Sequence, residues 1–319
     1  MDGAAEVVTL GESMVLFVPE QPGPLRHAAR FSRALAGAES NVAIGLCRLG
    51  HPAAWIGRVG EDEFGAYVLS TLRGEGVGLA FARADGRAPT GLMFKEPAAA
   101  ADSRVFYYRR GSAASLLDAP DVPTEALAGA RWLHITGITP ALGPGPRRAV
   151  GAAVRGATAA GLRLSFDPNY RSRLWPPAEA TPVLRELASA ADVLLCSEEE
   201  ADLLFGTADP AALAAAAGHR PGRLVAVKRG DRGAGFCLAG EVWEQPAWPL
   251  RKVVEPTGAG DAFAAGLIAG LLEGRAPAEA GRMAAACGAL ACTVSGDWEG
   301  APERPALEAM LRGQDTPRR

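Results

Sequence analysis

Short β-branched runs alternate with helical patterns along most of this chain, and that alternation constrains its fold more than any other feature. Residues 6–10 (Glu-Val-Val-Thr-Leu) read as a first strand stopped by Gly11. Val42, Ile44, Leu46 and Leu49 then recur at spacings that one helix face could bury, with Gly50 as the residue just past its end. Residues 53–59 read as the next strand, and Asp62 caps a helix to about Arg73, ended by Gly74 and Gly76. Further strands are expected at 132–136, 163–167, 193–196 and 224–228, with helices near 146–160, 178–190, 198–205 and 210–217. A hairpin at 235–244 and two helices at about 260–273 and 277–294 complete the pattern. Repeated β-α units predict an α/β fold with a mostly parallel sheet covered by helices on both faces. In such sheets ligands bind beyond the carboxyl ends of the strands.

Two stretches break the rhythm. Residues 12–36 lack a clean period and carry Pro19, Pro22 and Pro24, so they read as loop and irregular strand. Strand-like runs at 90–96 and 103–110 are separated by an alanine-rich turn with no helix between them. They suggest a small antiparallel sheet beside the main body, placed to cover a site.

Composition excludes several classes. With 48% hydrophobic and 22% charged residues the chain has ample material for a core, as one large domain or two ordinary ones. A net charge of −3 leaves no basic footprint for nucleic acid. No charged-then-apolar leader opens the chain and no apolar run reaches membrane-spanning length, so no membrane association is expected. Five cysteines without a C-x-x-C pair read as reduced residues of a cytoplasmic protein. His27, His51, His134 and His219 show no metal-ligand spacing, which argues against zinc.

The stretch with most chemistry is Pro256-Thr257-Gly258-Ala259-Gly260-Asp261-Ala262-Phe263, which runs into an Ala- and Leu-rich helical pattern. Glycines let the backbone approach a ligand, and the helix's positive end favours an anion such as phosphate. Asp261 would then be a possible base beside an anion cradle. An equally direct reading is a tight turn with Asp261 capping the helix. The chain has no G-x-x-x-x-G-K-[ST], no G-x-G-x-x-G after the first strand, no G-x-S-x-G and no protein-kinase signature set. A phosphate site here would need another architecture.

The stretch 256–263 resembles the C-terminal signature of the ribokinase-like (phosphofructokinase B type) sugar kinases. Gly37-Ala38-Glu39-Ser40-Asn41 is similar to their N-terminal glycine-to-asparagine element, in order and position. The resemblance spans nearly the whole chain. Within the family it is strongest to the 2-keto-3-deoxygluconate kinases, through Val105-Phe106-Tyr107-Tyr108-Arg109-Arg110-Gly111-Ser112-Ala113, Asp167-Pro168-Asn169-Tyr170-Arg171, Ser197-Glu198-Glu199-Glu200-Ala201 and Gly296-Asp297-Trp298-Glu299-Gly300-Ala301-Pro302.

That resemblance implies a ribokinase-like three-layer α/β/α domain over residues 1–312, with β-lid segments at about 12–36 and 88–112 and a disordered tail at 313–319. It implies ATP and Mg2+, leaves room for a monovalent cation, and suggests a cytoplasmic homo-oligomer joined through the lid. Asp261 would take the sugar hydroxyl's proton, and the amides of Gly258, Ala259 and Gly260 would hold charge on the phosphoryl oxygens. A helix N-terminus favours the ionised carboxylate, which should make Asp261 a weak base. Lys228, Gly230 and Gly233 would form the nucleotide loop, with a plain β-turn as the alternative. Asn169 and Ser197 join the ATP side. Glu200 would meet Mg2+ through water, unless the three glutamates 198–200 are only a solvated helix start.

On the substrate side Gly37 and Asn41 would touch sugar hydroxyls, and Asp297 the substrate's far end. A sugar acid needs arginine, whose planar fork matches a carboxylate. Arg109 and Tyr107 share one strand face, with Tyr108 and Arg110 on the other, and Arg171, at the end of a central strand, would approach from below to contact either substrate or ATP phosphate. The alternative is that Arg109 and Arg110 are edge-strand charges. Three departures stand out: Met93 where these kinases commonly carry tyrosine, Glu255 for aspartate, and Ala36 for glycine. The chain is therefore expected to be a sugar-acid kinase acting on 2-keto-3-deoxygluconate. A fructokinase or other ketose or nucleoside kinase of the same fold is the rival. A non-catalytic binding regulator would not need Asp261, and a dehydrogenase lacks its glycine fingerprint.

Overall fold

The computed structural model describes residues 5–21, 23–96, 104–218 and 220–315. The β-α alternation forms a nine-stranded sheet in the order β13-β12-β11-β10-β9-β8-β1-β4-β5. Its strands are β1 (Val7–Leu10), β4 (Ala53–Gly60), β5 (Ala82–Asp85), β8 (Trp132–Thr136), β9 (Arg163–Asp167), β10 (Val193–Ser197), β11 (Leu224–Lys228), β12 (Ala234–Leu238) and β13 (Glu241–Gln245). All neighbours pair in parallel except β12 and β13, which form the expected hairpin at one edge. The short strand β5 is an addition to the sequence reading, because Ala-Arg-Ala-Asp offers no β-branched signal.

Strand residues alternate between two apolar cores, as the two-residue repeat requires. Val7, Trp55, Val193, Leu195 and Ala226 face one side, and Val8, Ile56, Leu194, Cys196 and Val225 the other. On the first side lie helices α1 (Ala38–Arg48), α2 (Glu63–Gly74), α7 (Ala259–Leu272), α8 (Pro277–Ala291) and α9 (Arg304–Asp315). The second side is covered by α3 (Pro144–Ala160), α4 (Pro177–Ala190), α5 (Glu198–Phe205) and α6 (Pro210–Ala216). This is the three-layer α/β/α architecture. Asp62 caps α2 by accepting from the Gly65 amide, and Gly50 follows α1 with φ +87°. Helix α9 was not expected as such. It reaches Asp315, so 313–315 extend the helix instead of beginning a tail, while 316–319 lie outside the described residues.

The second sheet is the lid. β2 (Met14–Pro19), β3 (Phe31–Ala36), β6 (Leu92–Glu96) and β7 (Arg104–Tyr108) pair in the order β3-β2-β6-β7. Residues 12–36 thus hold two regular strands where loop and irregular strand were expected; Pro19 is the last residue of β2, opposite Phe31 at the end of the ladder, Pro24 lies in the connection, and Pro22 lies outside the described residues. The alanine-rich turn of the β6–β7 hairpin lies outside the described residues.

Helix α7 is apolar around its whole circumference and buried, and it meets α8 through Gly266 against Ala284 and Cys287 and Gly270 against Ala280. It begins at Gly258, whose φ of +78° and position against the Asp297 carbonyl leave no room for a Cβ. Gly258→Ala should therefore cost at least about 1–2 kcal/mol in backbone strain alone and displace the Asp297 loop. Thermal melting and turnover should both fall, and unchanged values for both would contradict this account of the helix start.

Candidate active site

A cavity of about 1050 Å³ opens where the carboxyl ends of the parallel strands meet the inner face of the lid. Its volume is at the upper end of single-ligand pockets, room enough for a nucleotide and a sugar together. Glu12 follows β1, Ile138 follows β8, and Asp167 ends β9 with Asn169, Tyr170 and Arg171 just beyond. Ser197 and Glu200 stand at the end of β10 and Lys228 ends β11. Met14, Met93, Lys95 and Tyr107 come from the lid, and Gly258, Gly260 and Asp261 from the start of α7.

Asp261 lies in the first turn of α7, not as its cap; Gly258 holds the capping position. Its Oδ2 accepts a 2.8 Å hydrogen bond from Asn41 Nδ2 on α1. The expected weak base is corrected here. Burial raises the Asp261 carboxyl to about 7, the nearby carboxylates Asp167 and Asp297 add to the rise, and the Asn41 bond opposes it. Asn41 thus holds the carboxylate as well as lining the cavity. Of the three residues expected to form an anion hole, only the two glycines face the cavity. The Ala259 amide donates to Pro256 O at 3.2 Å, and Ala259 is absent from the cavity lining, whereas Gly258 and Gly260 line it. Amides in a helix's first turn have no intrahelical partner, which leaves those of Gly260 and Asp261 without one.

Lys228 closes the floor. Its Nζ pairs with Asp167 Oδ2 and lies 3.6 Å from where a Cβ on Gly260 would sit. Asp167 and Glu200 hold the ammonium in its charged form against burial. Glu200 is not a solvated helix residue. Its two carboxylate oxygens accept from the amides of Tyr170 and Ser197 at 2.8 Å, and the Ser197 hydroxyl accepts from the Glu200 amide. This reciprocal capping box fixes the start of α5. Asn169, with φ +40°, turns the chain after Asp167 and bonds its Oδ1 through the backbone amide.

On the lid, Arg109 is buried and stacks over Tyr107 at 5.5 Å, with both facing the cavity, while Tyr108 and Arg110 face solvent. Arg109 is thus no edge-strand charge. It also has a partner that sequence reading missed: the wholly buried Glu12, whose other oxygen accepts from Ser112 at 2.7 Å. Met93 sits opposite Tyr107 in the β6–β7 register and lines the cavity. Arg171 is exposed in the cavity wall and, among the described residues, has no ion pair. Asp297 is raised to about 7 by burial, with Lys95 and Arg171 opposing. Gly37 leads into α1 against the Glu12 carbonyl, where a Cβ would not fit. Gly230 and Gly233 do not line the cavity. They shape the tight β11–β12 turn through φ +59° and +92°. Glu12 and Lys95 were missed as site residues because no local motif marks them, and Asp167 and Thr257, although inside the 167–171 and 256–263 stretches, were given no role there.

The pfkB family carbohydrate kinase description matches residues 4–304. The chain belongs to the pfkB family of carbohydrate kinases. Accordingly it is a phosphotransferase acting on a sugar hydroxyl. It is 38% identical to a 2-dehydro-3-deoxygluconokinase of Bacillus subtilis, covering 98% of this chain and 97% of the other. It is 35% identical to a Thermoproteus tenax protein of the same name (96% and 94%) and 34% to a Klebsiella pneumoniae fructokinase (96% and 99%). Among solved structures, a 2-dehydro-3-deoxygluconokinase from Thermotoga maritima superposes with a TM-score of 0.88 at 28% identity, over 98% and 99% of the chains. An E. coli protein provisionally named ribokinase II, solved with ATP and Mg2+, gives 0.89 at 29%, over 97% and 99%.

Among the described residues no three His, Cys, Asp or Glu side chains form a metal cage in this pfkB-family kinase. The adjacent carboxylates Asp167 and Glu200 fit the different demand of Mg2+, which keeps several waters and takes one or two carboxylates alongside phosphate oxygens. If Asp261 accepts the hydroxyl proton it must be ionised, so kcat/KM should fall below about pH 7 with unit slope. Removing the Asn41 donor in Asn41→Leu should move that limb to higher pH. A flat profile from pH 5 to 8 would contradict the assignment.

Proposed function

We propose that this kinase uses ATP to phosphorylate 2-keto-3-deoxygluconate at its 6-hydroxyl. The observation that carries the reading is a single cavity lined by Asp261 and by two arginines, Arg109 and Arg171. A neutral ketose has no need of two guanidinium groups, whereas a sugar carboxylate matches their forks. Two relatives named for this activity support it. In the reaction the 6-hydroxyl oxygen bonds to the γ-phosphorus as the bond to the β–γ bridging oxygen breaks, ADP leaves with that electron pair, and the proton passes to Asp261. In a loose transition state the proton leaves late, so aiming the hydroxyl matters as much as basicity. Asn41 aims the carboxylate, and Lys228 with the Gly258 and Gly260 amides meets the charge on the phosphoryl oxygens. Gly37 and Asn41 contact sugar hydroxyls, Met93 and Tyr107 pack on the sugar, and Asp297 takes its far end. Asn169, Ser197 and Lys228 serve the nucleotide, with Gly230 and Gly233 shaping the turn behind it. Mg2+, held through water by Glu200 and Asp167, would neutralise phosphate charge when bound.

The exposed Phe106 and Tyr108 on the outer lid strand fit a homo-oligomer joined through the lid. No helix among the described residues is long and apolar enough to cross a membrane, in keeping with a cytoplasmic enzyme.

A second reading, fructokinase, is favoured by Glu12. It neutralises Arg109 before any substrate arrives, and Met93 offers no hydroxyl. An ADP-release screen over ketodeoxygluconate, ketodeoxygalactonate, gluconate, fructose, ribose and adenosine separates the two. A sugar acid should give the highest kcat/KM; fructose in first place would overturn the proposal. Arg171→Ala should weaken a sugar acid by about tenfold or more, the worth of one charge-assisted contact, and leave fructose unchanged.

A further inference from the structure

One buried cation of the cavity has no part in the reaction as described. Lys95, on lid strand β6, is 7% exposed, although lysine is almost never fully buried unless paired. Its Nζ lies 2.7 Å from Glu255 Oε2 and donates to Thr257 Oγ1 at 3.0 Å. Thr257 in turn donates from Oγ1 to Glu255 Oε1 at 2.7 Å. These three side chains close a ring between the lid and the segment that runs directly into Gly258, Gly260 and Asp261. Lys95, Glu255 and Thr257 all line the cavity. Asp297, whose carbonyl packs against Gly258, feels the same ammonium.

We propose that Lys95 is a positioning residue for phosphoryl transfer: its ammonium ties the lid to the Glu255–Thr257 approach to the anion hole, so that sugar coverage and the alignment of Gly258 to Asp261 are set together. The geometry favours this over a purely structural ion pair. An exposed pair would be worth little, but this one is largely desolvated and anchors residues 255–257, the segment immediately before the Gly258 turn. A 1 Å displacement of such a segment is enough to cost about a hundredfold in rate. The inference rests on sugar phosphorylation in this cavity and not on which sugar is taken.

The test uses the full-length enzyme with whichever sugar proves best. Lys95→Ala should lower kcat by about ten- to a hundredfold. KM for ATP should change little, since the nucleotide floor is built by Lys228, Asp167 and Ser197. Ethylammonium chloride should restore at least about fivefold of kcat at constant ionic strength, whereas tetramethylammonium chloride should not, because only the former can donate to Glu255 and Thr257. The rescue should vanish in Lys95→Ala/Glu255→Gln. Wild-type-like kcat in Lys95→Ala, or a loss that neither salt restores, would overturn the proposal. Should Lys95→Ala fail to fold, Glu255→Gln decides: kcat must fall while the melting temperature stays near wild type, and an unchanged kcat would overturn it. An inactive wild type on all sugars would instead strike at the activity, a distinguishable outcome.

Discussion

The ammonium of Lys228 is the point on which the active-site floor depends. It lies at the end of a central strand, paired with Asp167 and within the field of Glu200 and Asp261. Without it, buried carboxylates would face one another in a region of low dielectric. Removing one partner of such a buried pair typically costs about 3–5 kcal/mol. With it, Asp167 has a charged partner, while Asp261, buried and bonded to Asn41, is raised to about 7. The three carboxylates thus sit in different settings: Asp167 paired with the ammonium, Glu200 in the capping box of α5, and Asp261 buried beside Asn41, where it is proposed to accept the proton.

The fold supplies this arrangement cheaply. Strands β1, β8, β9, β10 and β11 run in parallel, so their carboxyl ends converge at one edge of the sheet. Sequence order reverses between β1 and β8, where the outgoing connections part to opposite sides and leave a crevice. The lid covers that crevice, and α7 points its N-terminus into it. Gly258 is the tightest element of the design, since the Asp297 carbonyl occupies the space a side chain would need.

Much of this was legible in the sequence, because strands and helices have local periods and glycine signatures are contiguous. The strands that build the floor, the α7 start and the Tyr107–Arg109 face could be read from neighbours in the chain. What could not be read depends on partners far apart in sequence. Glu12 and Arg109 meet only once the lid has folded, and nothing around Glu12 marks it as a buried counter-ion. Lys95 and Glu255 are joined in the same way across the lid. The basicity of Asp261 was misjudged for a related reason: the helix dipole is visible in sequence, whereas burial and the approach of Asp167 and Asp297 are not. The glycines of the β11–β12 turn carry a pattern that suits nucleotide contact and a tight hairpin alike.

The central claim is that Asp261 takes the proton of the attacking hydroxyl, and it is tested most directly in Asp261→Asn by comparing single-turnover phosphoryl transfer with ATP affinity measured by calorimetry. Asparagine keeps the size and still meets Asn41, so ATP affinity should remain within about threefold while the transfer rate falls by about 10² to 10⁴. A transfer rate near that of the unaltered enzyme, with ATP bound normally, would contradict the account.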